Sequence, residues 1–147
     1  MNAQDEAKRR AADRALEFVS DGQVVGLGTG STAKFAIEGL ARLVREGLSI
    51  QGIATSLATE RMARDLAIPL INFNEAPAID VTLDGADEVD PRFNMIKGGG
   101  GALTREKLVA LASTKRVILI DESKLVSKLG MPRSLLARLQ VACFTVV

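Results

Sequence analysis

Apolar positions along this chain follow two alternating rhythms. Ala7, Ala11, Ala12, Ala15, Leu16 and Val19 recur at helical spacing, which predicts an amphipathic helix from about residue 4 to residue 19. Asp21-Gly22 breaks it, and Val24-Val25-Gly26-Leu27 makes a short buried strand. A glycine turn leads into a second helical pattern carrying Phe35, Ala36, Leu40, Leu43 and Val44, closed by Gly47. Leu48 to Ala54 is predicted as a strand, Thr59 to Leu66 as a helix stopped before Pro69, and Leu70 to Phe73 and Ile79 to Leu83 as two more strands. Thr104 to Ala112 is a helix and Val117 to Ile120 a strongly apolar strand. Strands alternating with helices imply a Rossmann-like α/β fold, a mostly parallel sheet with helices on both faces.

Ligands of such sheets bind beyond the carboxyl ends of the strands. The polar motifs of this chain fall at that edge, after Leu27, Ala54, Leu83 and Ile120. The segment after Leu129 differs. Gly130-Met131-Pro132 ends the preceding element, Ser134 to Gln140 has room for two helical turns, and Val141 to Val147 is almost wholly apolar. Such an apolar end is either paired inside the sheet or prone to aggregate.

Composition then narrows the chemistry. The 147 residues fit one domain, and 47% apolar with 25% charged is ordinary for a globular protein. A net charge of +1, with no basic tract or aromatic platform, argues against nucleic acid as a partner. There is no histidine, which removes the commonest general base and the Ser-His and Cys-His nucleophile systems. One cysteine, Cys143, allows neither an internal disulfide nor a thiolate metal cluster. No apolar run approaches the roughly 20 residues that cross a bilayer, and the charged N-terminus lacks a signal-peptide core, so a cytoplasmic protein without membrane contact is expected.

Three constellations carry candidate chemistry. Gly26-Leu27-Gly28-Thr29-Gly30-Ser31-Thr32 lies between a strand and a helix, and suits a phosphate monoester or sugar hydroxyls better than a pyrophosphate. Its bland alternative is a tight turn with Ser31 as helix N-cap. Asp84-Gly85-Ala86-Asp87-Glu88 sets two acids three apart, able to face one pocket; a solvated acidic turn and a divalent metal site are its rivals. Lys97 precedes four glycines, Gly98 to Gly101, and Glu106 follows in the first turn of the next helix, where the helix dipole favours its anion. Glycine amides ahead of a helix N-terminus are suited to an anion. Weaker signals are Thr55-Ser56, better read as a helix cap, Asp90-Pro91 as a turn, and Lys124 and Lys8 as cations near the same edge.

Together these motifs resemble type A ribose-5-phosphate isomerase. The matching pieces are Gly26 to Thr32, Thr55-Ser56 with Thr59-Glu60, Asp84 to Glu88, Lys97 to Lys107 and Asp121 to Lys124, in the family's order. The resemblance implies interconversion of ribose 5-phosphate and ribulose 5-phosphate, in the non-oxidative pentose phosphate branch, without metal or organic cofactor. It implies that Glu106 is the base carrying a proton between C2 and C1 through an enediolate. By the same resemblance Asp84 and Asp87 match acids that bind sugar hydroxyls, Asp84 being also the candidate for ring opening, and Lys97 matches the cation that stabilises the developing oxyanion. Thr29, Gly30, Ser31, Thr32, Gly85, Ala86, Gly98, Gly99, Gly100 and Lys124 are the implied substrate contacts, with Lys8 near the phosphate.

The family also implies a homodimer or homotetramer. Gly101 stands where the family usually has alanine, a change expected to loosen the loop. Family members continue past the match to Leu129-Gly130 into a small α+β domain and then return to complete the first sheet. The pattern is not recognisable in Met131 to Val147. Residues 1–130 are therefore predicted as the catalytic domain, 131–147 as a divergent tail, and the sheet as incomplete. Two other readings are a sugar-phosphate binding module without catalysis and an inactive truncated isomerase. Amino-sugar-phosphate deaminases fit less well, because their ring opening commonly leans on histidine.

Overall fold

The computed structural model describes residues 3–76 and 78–130. The expectations for Ser134 to Gln140 and Val141 to Val147 lie outside them. Helix α1 (Ala3–Leu16) leads into β1 (Val24–Leu27), α2 (Ser31–Arg45), β2 (Gln51–Ala54), α3 (Leu57–Asp65) and β3 (Ile79–Gly85). A small hairpin, β4 (Glu88–Val89) with β5 (Met95–Ile96), precedes α4 (Leu103–Leu111) and β6 (Ser113–Leu119). Four strands form one parallel sheet in the order β2-β1-β3-β6.

Burial explains the layering. Val25, Leu27, Val81, Leu83 and Leu119 send one face of the sheet into a core with Ala12, Ala15 and Leu16 of α1 and Ala36, Ile37 and Leu40 of α2. On the other face Val109 of α4 packs with Val24, Ile53 and Ile79. The sheet is thus covered on both faces, as the alternating pattern requires.

Element limits differ from the sequence pattern for local reasons. Strand β2 starts at Gln51 rather than Leu48, because Leu48 N donates to Leu43 O at 3.0 Å in the close of α2, with Gly47 at φ 113. The strand expected over Leu70 to Phe73 shrinks to one bridge between Leu70 and Gly52. Asn72 and Glu75 form a capping box there and turn Phe73–Glu75 into a 3₁₀ helix. Strand β6 begins at Ser113, four residues early. Its polar start, Ser113-Thr114-Lys115-Arg116, is tolerated because β6 is the outermost strand among the described residues.

The chain order fixes where a ligand belongs. From β1 the chain crosses to β2 on one side, then returns past β1 to β3 on the other. The reversal lies between β1 and β3, and at their carboxyl ends the loops part to leave a crevice. Gly28 N still bonds Leu83 O at 2.8 Å, so the two loops diverge just beyond that point.

Candidate active site

The crevice at this switch point is a cleft of about 90 Å³. Thr29, Gly30, Ser31 and Thr32 line it from the β1–α2 turn, Gly85, Ala86 and Asp87 from the β3 loop, Lys97, Gly98 and Gly100 from the glycine loop, and Glu106 and Lys124 close it. Two larger hollows, of about 320 and 680 Å³, lie elsewhere. The first has one ion pair of its own, Arg64 with Glu60 at 2.9 Å, and the second is walled chiefly by apolar side chains such as Ile118, Ile120 and Leu125. Convergence of acid, base and anion-binding groups, not size, marks the small cleft as the site.

One wall is made by the N-terminus of α2. The N-cap position is Gly30, at φ 110, and no side chain caps the helix, so Ser31 is its first residue and not its cap. Uncapped first-turn amides over a cleft are an anion site. The neighbouring helix α3 is instead capped in the expected way, Ser56 Oγ accepting from Thr59 N at 3.1 Å.

Beneath the cleft lies a buried charged triad. Lys97 Nζ stands 3.0 Å from Asp84 Oδ2 and 3.3 Å from Glu106 Oε1, and it also donates to Gly85 O. All three side chains are nearly inaccessible, at 2–6% exposure. The hairpin β4–β5 makes this possible by returning the chain from the β3 loop to the sheet edge. Asp90 organises its turn, accepting from Arg92 N and Asn94 N at 2.9 Å each. Asp84 is held from the other side by the amides of Thr29 at 3.1 Å and Gly85 at 2.8 Å, both on Oδ1.

With all three groups ionised, two carboxylates and one ammonium would leave one net negative charge in a dry place. Burial pushes the Glu106 carboxyl up to about 7; the charge of Asp84 adds to the rise and Lys97 opposes it. Sequence position alone suggested the reverse, an anion favoured by the α4 dipole. A dipole effect of about 0.3–1 kcal/mol at an exposed helix end is outweighed here by desolvation. A carboxyl poised near neutrality beside a cation suits proton transfer.

Other expected residues take different stations. Asp87 lines the cleft and accepts from Gly99 N at 2.8 Å, so Gly99 gives its amide to the protein and leaves the lining to Gly98 and Gly100. Asp84 sits under the cleft floor, so the two acids do not share the wall. Gly101 has φ 77, a conformation that glycine adopts freely, so it suits the turn closed by Gly101 N on Gly98 O at 3.0 Å rather than loosening it. Lys124 reaches the cleft, whereas Lys8 is buried on α1 outside its lining. Burial would raise the Asp121 carboxyl, but bonds from Ser123 and the charges of Lys8 and Lys124 hold it below its usual range. Among the described residues no group of three or more acid or cysteine side chains is placed to hold a metal ion.

Two features escaped the sequence. Gly28 is required by packing: a Cβ there would collide with Asp84 Oδ1 and with the backbone of Leu83. The Thr29 hydroxyl is turned toward Thr55, Ser56 and Thr59. Only folding brings those three to it.

Parallel strands, a switch-point cleft beside an uncapped helix N-terminus, and a buried Glu-Lys-Asp triad define an α/β protein with ionisable groups gathered at one crevice. The sequence profile of ribose 5-phosphate isomerase A (phosphoriboisomerase A) matches residues 51–141. The chain belongs to the ribose 5-phosphate isomerase A family.

The ribose-5-phosphate isomerase A of Desulfatibacillum aliphaticivorans is 58% identical over 132 residues, covering 88% of this chain and 57% of that protein. The solved ribose 5-phosphate isomerase A of Methanocaldococcus jannaschii superposes with a TM-score of 0.85 at 42% identity, over 88% of this chain and 58% of its own. A D-ribose-5-phosphate isomerase in complex with phospho-erythronic acid superposes with a TM-score of 0.84 at 44% identity, over 88% of this chain and 57% of its own. The chain thus spans a little over half the length of the curated relatives it matches.

Proposed function

We propose that this chain interconverts D-ribose 5-phosphate and D-ribulose 5-phosphate, with Glu106 as the base, and that residues 1–130 are the unit carrying the chemistry. The observation that carries the reading is Glu106, buried at 3.3 Å from Lys97 and pushed up to about 7 beside an anion cleft.

In the reaction the Glu106 carboxylate takes the C2 proton of the open-chain aldose. The C2–H electron pair becomes the C1–C2 double bond, and the carbonyl pair moves onto O1, giving an enediolate. Glu106 then returns the proton to C1 while the O2 hydroxyl proton passes to O1, leaving the ketone at C2. Glu106 is neutral once it holds the proton, so its claim on Lys97 weakens as the substrate gains negative charge. The ammonium then stabilises the oxyanion in a site already desolvated.

Asp87, on the cleft wall, binds sugar hydroxyls. Asp84, reached through Lys97 and the Thr29 and Gly85 amides, serves ring opening and the traffic of hydroxyl protons. The first turn of α2, with Ser31 and Thr32, and Lys124 take the phosphate; Gly85, Ala86, Gly98 and Gly100 complete the contacts. The complex with phospho-erythronic acid formed by a 44% identical isomerase supports a sugar-phosphate ligand. As in the family resemblance, the reaction needs no metal or organic cofactor, and the working assembly is a homodimer or homotetramer in the cytoplasm.

The test is direct: ribose 5-phosphate is incubated with the 147-residue protein and ribulose 5-phosphate is followed. Turnover supports the proposal. Folded protein that binds ribose 5-phosphate without converting it overturns the catalytic part and leaves a binding module.

A further inference from the structure

The β1 turn is tied to Asp84 by a knot of hydroxyls for which the proposed chemistry has no use. Thr29 Oγ1 lies 2.8 Å from Thr55 Oγ1, 2.9 Å from Ser56 Oγ and 3.2 Å from Thr59 Oγ1. The direction of each proton follows from counting donors. Thr55 Oγ1 donates to Leu27 O at 2.8 Å, and Thr59 Oγ1 donates to Gly28 O at 2.9 Å. A hydroxyl has one proton, so toward their neighbours both of these oxygens only accept. Ser56 Oγ donates to Thr59 Oγ1 at 3.0 Å, so the single Thr29 proton is divided between Ser56 and Thr55 as acceptors, and the 3.2 Å approach of Thr29 to Thr59 is an oxygen contact without a proton of its own.

The amide of Thr29 is engaged as well, on Asp84 Oδ1. Thr29 therefore lines the cleft with neither of its donors available to a ligand. The sequence pattern suggested a substrate contact; both Thr29 donors are engaged within the protein. The knot holds the carbonyls of Leu27 and Gly28, the two residues that set the direction of the β1 turn, and through Thr29 it holds Asp84. Thr59 is buried, so the Gly28 carbonyl deprived of its hydroxyl has no solvent to replace it, whereas Leu27 O keeps the Thr55 amide at 3.0 Å.

We infer that Thr29, Thr55, Ser56 and Thr59 are positioning residues: their hydroxyl knot locks the β1 turn so that the Thr29 amide holds Asp84 and the α2 N-terminus faces the cleft. The consequence for ligand affinity rests on the proposed sugar-phosphate reading, while the geometric lock does not.

The test compares wild type, Thr59→Val and Thr59→Ser in two measurements. The first is hydrogen exchange of the Thr29 amide by NMR in ligand-free protein, read against the core amides of Val25 and Val81. The second is calorimetric titration with phospho-erythronic acid. In Thr59→Val the Thr29 amide is expected to exchange at least about tenfold faster while the two core amides stay unchanged. Affinity for phospho-erythronic acid falls by about tenfold or more. Thr59→Ser, which keeps the hydroxyl, stays within about twofold of wild type in both.

A folded Thr59→Val protein with Thr29 exchange unchanged overturns the lock, and so does acceleration shared equally by the core. Should Thr59→Val not fold, Thr55→Val removes the other arm of the knot and is read by the same criteria. Failure of wild type to bind phospho-erythronic acid counts against the proposed function, and the exchange measurement still decides the lock.

Discussion

Glu106 is the residue on which opposing forces can be weighed. Burial and Asp84 raise its carboxyl and Lys97 lowers it, with a net position of about 7. A base must be ionised to act, so kcat/KM for ribose 5-phosphate is expected to rise with pH and to level off above a midpoint near 7. Lys97→Met removes the one group of the triad that favours the anion, and the midpoint moves higher. A profile flat from about pH 6 to 8 in wild type contradicts this assignment.

Stability has the opposite slope. Between about 4.5 and about 7 the native state keeps a proton on Glu106 that the unfolded chain has lost. This group's contribution therefore makes the protein less stable as pH rises across that window. Glu106→Gln abolishes that component, which denaturant titrations at several pH values detect.

Single residues also show how far the sequence could be read. Lys97, Glu106, Asp84 and Asp87 were legible as a set because their order and spacing are distinctive. Their stations were not. That Asp84 lies beneath the cleft and Asp87 on its wall depends on how the β3 loop meets the glycine loop. That Glu106 resists ionisation depends on burial, which a helical position does not reveal.

At the scale of elements, the strands with continuous or alternating apolar runs were legible. Val24–Leu27 is buried at every position, and Ile79, Val81 and Leu83 alternate with Asp80 and Thr82 at strand spacing. The β4–β5 hairpin was not, since two residues per strand carry no periodicity. The start of β6 was hidden because an outer strand tolerates polar positions. The hairpin nevertheless matters most to the site, since it delivers Lys97 under the cleft.

The contact between the β1 turn and the β3 loop depends on Gly28, where the added Cβ would lie 2.6 Å from the Asp84 Cα. Gly28→Ala is expected to cost about 1–3 kcal/mol of stability through overpacking. Turnover falls more than about tenfold, since Asp84 must shift from Lys97. Thermal unfolding and steady-state assays check both. Gly30 offers the contrast: space beside it is open, and a substitution there is resisted only by its φ of 110.

The whole molecule joins a parallel sheet, a switch point between β1 and β3, and a chemistry set placed where those two loops part. The strand order puts the α2 N-terminus and the Asp84 loop on opposite sides of one crevice, and the β4–β5 return brings Lys97 beneath it, beside Glu106 of α4. No helix among the described residues is long and apolar enough to cross a membrane. The match to residues 51–141 and the superposition over 88% of the chain agree with this arrangement, and the chain's span of a little over half its relatives makes activity the property to measure.

The most direct test of the central claim is exchange of the sugar's own hydrogens. Ribose 5-phosphate is incubated in deuterium oxide with the wild-type protein and with Glu106→Gln, and proton NMR follows C2 of the aldose and C1 of the ketose. A proton carried by Glu106 through an enediolate predicts deuterium at those carbons with wild type. In Glu106→Gln incorporation slows by about 10²-fold or more, with the fold intact. Equal incorporation by wild type and variant, or neither incorporation nor ribulose 5-phosphate from folded wild type, contradicts the account.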